Sequence, residues 1–209
     1  MELILENIGK DYGNDPVLFF EKLQLNAGIY WIKGSNGTGK TTLFRIIAGQ
    51  TPFHGQVSFQ DVNLKRQPVK YRSLISYAEA EPQYPGYITG KDLIQYFLSV
   101  RQAAKNSVAD LIELFGMTRF LDQKIGGYSS GMLKKLSLIC AFIGDIKLFL
   151  LDEPLITIDT ASANVLYQLI NFYRAKGCTF LISSHQDLDY SKVKPDQTFM
   201  ISNAALELC

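Results

Sequence analysis

Gly34-Ser35-Asn36-Gly37-Thr38-Gly39-Lys40-Thr41-Thr42 is the stretch on which the reading of this chain turns. Gly34, Gly39, Lys40 and Thr41 set two glycines, a lysine and a hydroxyl at the offsets of a phosphate-cradling loop. The flanks agree with it. Residues 28–33 read as a turn and a short apolar strand, and Leu43, Ile46 and Ile47 then repeat at helical spacing up to a stop at Gly49. A glycine-rich bend between strand and helix aims successive backbone N–H groups into one concavity, and the helix N-terminus adds about half a positive charge. Lys40 is then expected to reach the β- and γ-phosphates of a nucleotide, and the Thr41 hydroxyl a Mg²⁺ ion. An ordinary glycine turn before a helix explains Gly34, Gly37 and Gly39 but not Lys40-Thr41 at this offset. At glycine's usual ~7% abundance, the four positions coincide by chance in on the order of one such sequence per hundred.

The rest of the composition is that of a globular protein. The 209 residues are 47% hydrophobic and 20% charged, enough for one large or two small domains around a sizeable core. A net charge of +1 leaves no electrostatic footprint for duplex nucleic acid, so no nucleic-acid partner is expected. Apolar runs such as residues 17–20 and 148–151 break far short of the ~18–20 residues of a membrane span. Met1-Glu2-Leu3-Ile4 reads as the start of a strand rather than a signal peptide. Cys140, Cys178 and Cys209 are scattered with no CxxC pair and read as reduced thiols of a cytosolic protein.

Outward from the loop, residues 2–33 read as short strands with turns at Gly13-Asn14-Asp15-Pro16 and Asn26-Ala27-Gly28. Residues 56–59 and 73–77 are further strand candidates. From about 89 to 122 only helical patterns occur, first on Leu93, Ile94, Phe97 and Leu98, then on Val108, Leu111, Ile112, Leu114 and Phe115. Alternation then returns: a helix over 129–144, a buried strand over 148–151, a helix over 161–176, a strand over 179–182 and two short closing strands. Apolar strands separated by helices imply an α/β fold whose sheet is mainly parallel, with helices on both faces.

A second group of residues points to the same chemistry. Leu148-Phe149-Leu150-Leu151-Asp152-Glu153-Pro154 ends an apolar strand in two acids. Open α/β sheets place ligands at that edge. Asp152 suits the acid that holds Mg²⁺ together with Thr41 in P-loop ATPases, and Glu153 is placed to polarise an attacking water as general base. His185 follows the next apolar strand at the same edge and is expected to hydrogen-bond a γ-phosphate oxygen. His54, in a turn, has only the bland reading of a loop residue.

Phosphate loop, helical insertion, a Ser-x-Gly motif opening a helix, Asp-Glu-Pro and a Ser-His occur here in one order. Across essentially the whole chain this resembles the ATP-binding subunit of ATP-binding-cassette (ABC) transporters. The motif Tyr128-Ser129-Ser130-Gly131-Met132 stands where the family has Leu-Ser-Gly-Gly-Gln, and its form looks like that of ABC-2-type exporters. Ser129 is a good helix N-cap, and Gly131 permits close backbone approach. The resemblance implies a P-loop core with an antiparallel N-terminal part. It implies one domain over 1–209, with 1–88 and 123–209 as core and about 89–122 as an inserted helical subdomain. It further implies that Ser129, Ser130 and Gly131 act on the ATP of a second cassette, identical or different, and that a separate membrane-spanning permease receives the energy. The cassette would then sit at the cytoplasmic face of the membrane. Tyr12 matches an adenine-stacking aromatic, and Asp159 an acid facing the partner cassette. One position departs from the pattern: Ala80 falls where the family has a metal-sensing glutamine, with Glu79, Glu81 and Gln83 nearby. Two other readings remain open, an ABC ATPase that does not serve transport and a catalytically weak regulatory cassette.

Overall fold

The computed structural model describes residues 2–13, 15–104, 108–185 and 188–209. Two long antiparallel strands, β1 (Leu3–Tyr12) and β2 (Asp15–Leu25), open the chain and lead into β3 (Ile29–Lys33) and α1 (Lys40–Ile47). Next come β4 (His54–Phe59), β5 (Val62–Asn63), α2 (Pro68–Leu74) and β6 (Ile75–Ala78). The helices α3 (Gly90–Val100) and α4 (Ala109–Leu114) are followed by α5 (Ser130–Ala141), β7 (Leu148–Asp152), α6 (Thr160–Ala175) and β8 (Thr179–Ser183). A hairpin of β9 (Gln197–Ser202) and β10 (Ala205–Leu208) ends it.

The strands form two sheets. One is antiparallel, in the order β2-β1-β4-β5. The other runs β10-β9-β3-β8-β7-β6, parallel throughout except for β10 at its edge. Both faces of its central strands are buried, so each contributes alternate residues to two separate cores. Tyr30 and Ile32 of β3, Leu148 and Leu150 of β7 and Leu181 of β8 join α1 and the antiparallel sheet. Trp31, Phe149, Leu151, Phe180 and Ile182 face α3, α5 and α6 on the other side, where Phe149 and Phe180 stack at 4.7 Å. That double burial is why these strands read as unbroken apolar runs.

Several local features differ from the sequence reading, among them His54, which opens β4 and pairs with Gly9 instead of lying in a turn. β1 and β2 are long rather than short, and Asp15 and Pro16 already pair with Tyr12 and Asp11 inside the ladder; Asn14 lies outside the described residues. The strand expected over 73–77 is Ile75–Ala78, and residues 68–74 before it form α2. Pro68 starts that helix, where its missing N–H costs nothing. Tyr71, the only buried residue of α2, donates its hydroxyl to the Ile47 carbonyl at 2.9 Å and fixes α2 to the end of α1. A helix with one buried residue shows no apolar stripe.

Among the described residues between β6 and α5 the regular elements are helical, and one isolated antiparallel bridge joins Thr89 to Lys124. Thr89 caps α3 in a reciprocal box with Asp92. At the other end of α3, Arg101 donates to the carbonyls of Cys140, Ala141 and Ile143 at the end of α5, and to the Ser76 hydroxyl of β6 at 3.0 Å. One half-buried guanidinium thus joins the inserted helices to the sheet. Cys140 and Cys178 are buried packing residues and Cys209 is exposed; all three are free thiols. No helix among the described residues is long and apolar enough to cross a membrane.

Candidate functional site

The loop from Gly34 to Gly39 carries the chain from the buried end of β3 into α1. Gly39 is the N-cap of α1 at φ 106°, a left-handed conformation that a side chain would strain, and an added Cβ would lie 3.1 Å from the Val17 carbonyl. At Gly34 an added Cβ would meet the Thr38 hydroxyl at 2.5 Å. Lys40, 7% exposed, folds its ammonium back over the loop to the Gly34 and Ser35 carbonyls at 2.8 and 3.2 Å. The Thr38 hydroxyl donates to the Ser35 carbonyl at 2.9 Å.

A cavity of about 500 Å³ opens on this loop. That is within the usual range of small-molecule sites, about 300–1,000 Å³. Asn36, Gly37, Gly39, Lys40, Thr41 and Thr42 line one wall, Tyr12 and Val17 another, and Glu153, Ile156 and His185 a third. Six of the nine loop residues therefore meet Tyr12, Glu153 and His185 around one space. Gly34, Ser35 and Thr38 are not part of that wall; their contacts are with Lys40 and within the loop. Ala80 and Glu81 complete the wall, and Glu79, Glu81 and Gln83 flank an adjoining hollow beside Thr41.

Strand alternation explains how the two acids diverge. Asp152, the last residue of β7, follows Leu148 and Leu150 onto the α1 face, where it is fully buried. It pairs in register with Ser183 of β8, whose hydroxyl donates to Asp152 Oδ1, and Tyr77 of β6 donates to Oδ2 at 3.2 Å. Burial, then the neighbouring Asp152 charge, raises the Tyr77 phenol well above its ordinary pKa, so it stays a donor. Glu153 continues in a left-handed conformation at φ 46°. Its N–H donates to the Ser183 hydroxyl at 2.9 Å. Its carboxylate, nearly buried, stands 3.6 Å from Lys40 Nζ through Oε1 and 3.0 Å from His185 Nδ1 through Oε2. The His185 N–H reaches the same Oε2 at 3.3 Å.

Tyr77, Ser183 and Lys134 are the site residues that sequence reasoning missed. Each becomes visible only through strand register or helix docking. Lys134 of α5 is 1% exposed, and its ammonium donates to the Glu79, Ala80 and Asp152 carbonyls. Burial pushes it down to about 8 against the opposing pull of Asp152, Glu153, Glu81 and Glu79.

The Ser-x-Gly motif lies elsewhere. Ser129 caps α5, its hydroxyl accepting the Met132 N–H at 3.2 Å, and Ser129 and Ser130 are exposed and outside the cavity wall. Gly131 packs against the loop after Glu153: an added Cβ would sit 2.6 Å from the Thr157 carbonyl. Asp159 caps α6 by accepting the Ser162 N–H at 2.8 Å and pairs with Lys135 of α5. The Thr41 hydroxyl lies in the cavity wall, whereas the fully buried Asp152 carboxylate lies outside it and accepts from Tyr77 and Ser183; both are oxygen ligands of the kind that suit Mg²⁺. Among the described residues no cluster of three His, Cys, Asp or Glu forms a self-contained metal site. A Mg²⁺ ion that shares its shell with phosphate oxygens needs none.

A strand, a glycine-rich loop and a helix set into a mainly parallel sheet, with the acid-tipped strand two places along, define a P-loop nucleotide-binding protein. That class narrows on comparison with known proteins. Residues 22–156 match the family described as ABC transporter. The chain is 33% identical over 184 residues to the "Cytochrome c biogenesis ATP-binding export protein CcmA" of Legionella pneumophila, covering 87% of this chain and 92% of that one. It is 32% identical over 160 residues to the "ABC transporter ATP-binding protein NatA" of Bacillus subtilis, covering 74% of this chain and 65% of that one. A solved ATP-binding subunit of an ABC transporter superposes with a TM-score of 0.91 over 99% of this chain and 88% of that one, at 22% identity, which speaks to the fold. The chain belongs to the ABC transporter family. It is an ATP-binding subunit of a transporter, and an ATPase.

Proposed function

We propose that this subunit powers export by closing on a second cassette around ATP. The observation that carries the reading is the separation of two half-sites. One cavity gathers Lys40, Thr41, Glu153 and His185, while the capped N-terminus of α5 at Ser129, Ser130 and Gly131 lies outside it, with both serines exposed. A helix N-terminus with free N–H groups favours an anion, so a second chain's triphosphate fits there. Two such chains, or this one and a different cassette, then enclose two nucleotides in a two-fold arrangement.

Within each site Tyr12, half exposed at the cavity rim, stacks on adenine. The N–H groups of Ser35 to Thr42 surround the phosphates. Lys40 leaves the Gly34 and Ser35 carbonyls and Glu153 for the β- and γ-phosphates. Glu153, released from Lys40, takes a proton from water as its oxygen bonds to the γ-phosphorus. The bond to the bridging oxygen breaks, and ADP and phosphate leave. His185, already 3.0 Å from Glu153, orients that carboxylate and reaches the γ-phosphate. Mg²⁺ held by Thr41 and Asp152 would offset the charge that develops on the phosphate oxygens.

The helices between residues 89 and 122 form a subdomain inserted into the core, and the energy of closure passes to a separate permease that holds the cassette at the cytoplasmic face. The exporter reading draws on the form of the Ser129–Gly131 motif and on the relative whose name includes "export protein". The test is affinity capture of the tagged chain from detergent-solubilised membranes. A polytopic membrane protein in the eluate is expected, with ATP-dependent dimers that Lys40→Ala abolishes. Sedimentation with ribosomes and no membrane protein would overturn the transport reading.

A further inference from the structure

A buried charge stands in α5 where the packing calls for an apolar residue. Lys134 and Lys135 are adjacent, yet they do opposite things. Lys135 pairs with Asp159 near the surface, whereas Lys134 is buried and turns inward to the chain after β6 and the end of β7. An ammonium has three donors. At Lys134 they meet the Glu79 carbonyl at 2.7 Å, the Ala80 carbonyl at 2.6 Å and the Asp152 carbonyl at 3.3 Å. The head group is saturated by backbone from two separate segments. Its opposing charges, Asp152 and Glu153 on β7 and Glu79 and Glu81 after β6, act from further away.

Taking an ammonium out of water is costly, and a methionine would fill the same space without that cost. What methionine cannot do is hold two chain segments at a set distance from a helix. One of those segments is the cavity wall at Ala80, whose carbonyl takes the shortest of the three bonds. The other is the end of β7, where Asp152 and Glu153 diverge. The helix that carries Lys134 begins at the Ser129 cap. Any displacement of that cap along α5 is therefore delivered to both segments at once.

Resting on the ATPase reading above, we propose that Lys134 is a positioning residue for hydrolysis: it locks the Ala80 wall and the Asp152–Glu153 corner to the helix that opens at Ser129. Binding of nucleotide runs mainly through the loop at Gly34 to Thr42, which Lys134 does not touch. Loss of the clamp should therefore act on turnover and spare affinity. Misplacement of reacting groups by about 1 Å costs on the order of a hundredfold in rate, so a tenfold loss is a conservative expectation.

The experiment compares wild type, Lys134→Met, Lys134→Gln and Lys134→Arg as full chains. It reads the ATPase rate against ATP concentration, equilibrium binding of a fluorescent ATP analogue, and hydrogen exchange of the peptide over residues 79–83. For Lys134→Met, kcat is expected to fall about tenfold or more while KM and binding stay within about threefold, and exchange over 79–83 to rise. Lys134→Arg, with donors enough for three carbonyls, should restore most of kcat. If Lys134→Met does not fold, Lys134→Gln, with two donors, must show the same split at smaller size. Turnover like that of wild type in either variant, or parallel loss of kcat and affinity, overturns the proposal. Wild type that binds ATP without hydrolysing it would overturn the ATPase reading instead, and the exchange comparison would still decide whether Lys134 holds the wall.

Discussion

Gly131→Ala is the substitution with the most closely defined outcome. The new methyl would stand 2.6 Å from the Thr157 carbonyl oxygen, well inside ordinary contact, and the atom it meets is backbone. Thr157 cannot yield freely, because it sits at φ 67°, where a β-branched residue is strained. It is exposed, however, so the loop can shift outward into solvent. That places the cost toward the lower part of the overpacking range, about 1–2 kcal/mol. In a chain of this size each kcal/mol moves the melting point by about 2–4 °C, so a fall of about 2–8 °C is expected. Thr157→Gly removes a left-handed strain of about 1–2 kcal/mol at an entropic cost of about 0.5–1 kcal/mol, a small net gain. The two changes share one contact, so the double variant should recover at least about 0.5 kcal/mol relative to the sum of the singles. Thermal unfolding followed by circular dichroism gives all four corners of the cycle. A Gly131→Ala melting point within about 1 °C of wild type, or strict additivity, would refute the claim that this carbonyl and this glycine are in forced contact.

Three further outcomes follow from the geometry. Glu153→Gln keeps the shape of the site and removes the base: phosphate release should fall by about 10²–10⁴-fold while equilibrium binding persists, because the loop and Lys40, which leaves Glu153 for the phosphates in any case, are unchanged. Arg101→Ala strips a guanidinium from three carbonyls at the end of α5 and from Ser76, a loss of about 3 kcal/mol, read as a melting point lower by roughly 6–12 °C. Asp159 is held down to about 2 by its bond with Lys135 and then by the Ser162 N–H. A depressed acid contributes above its unfolded value of about 4 and loses that contribution as pH falls toward 2, so Asp159→Asn should flatten the acid limb of the stability curve over that interval.

The parts of this molecule that could be read in its sequence share one physical property: their signal is local. Residues 34–42 carry their own conformational requirements, and β7 and β8 are buried on both faces, so their apolar runs are unbroken. Ser129 as the cap of α5 follows from a hydroxyl before an apolar helix. What stayed hidden depends on register and docking. Tyr77, Asp152 and Ser183 meet because three neighbouring strands end at compatible heights, which no spacing in the chain reveals. Lys134 and Lys135 look alike in sequence, and only the rotation of α5 sends one inward and the other to Asp159. α2 has a single buried residue and so no periodicity to find.

The order Asp152-Glu153 has a structural logic beyond the identity of the two acids. In a strand, successive side chains point to opposite faces. Asp152 therefore inherits the α1 face from Leu150, where Tyr77 and Ser183 reach it, and regular strand geometry would send Glu153 toward α5. The left-handed turn at φ 46° prevents this and returns Glu153 to the side of Lys40 and His185. Ser183 holds the turn from both sides, accepting the Glu153 N–H and donating to Asp152. A strained backbone and a nearly buried carboxylate are both costs to folding, and neither improves the packing of the core. Together they put two acids from consecutive positions onto one side of a sheet, where alternation alone allows only one.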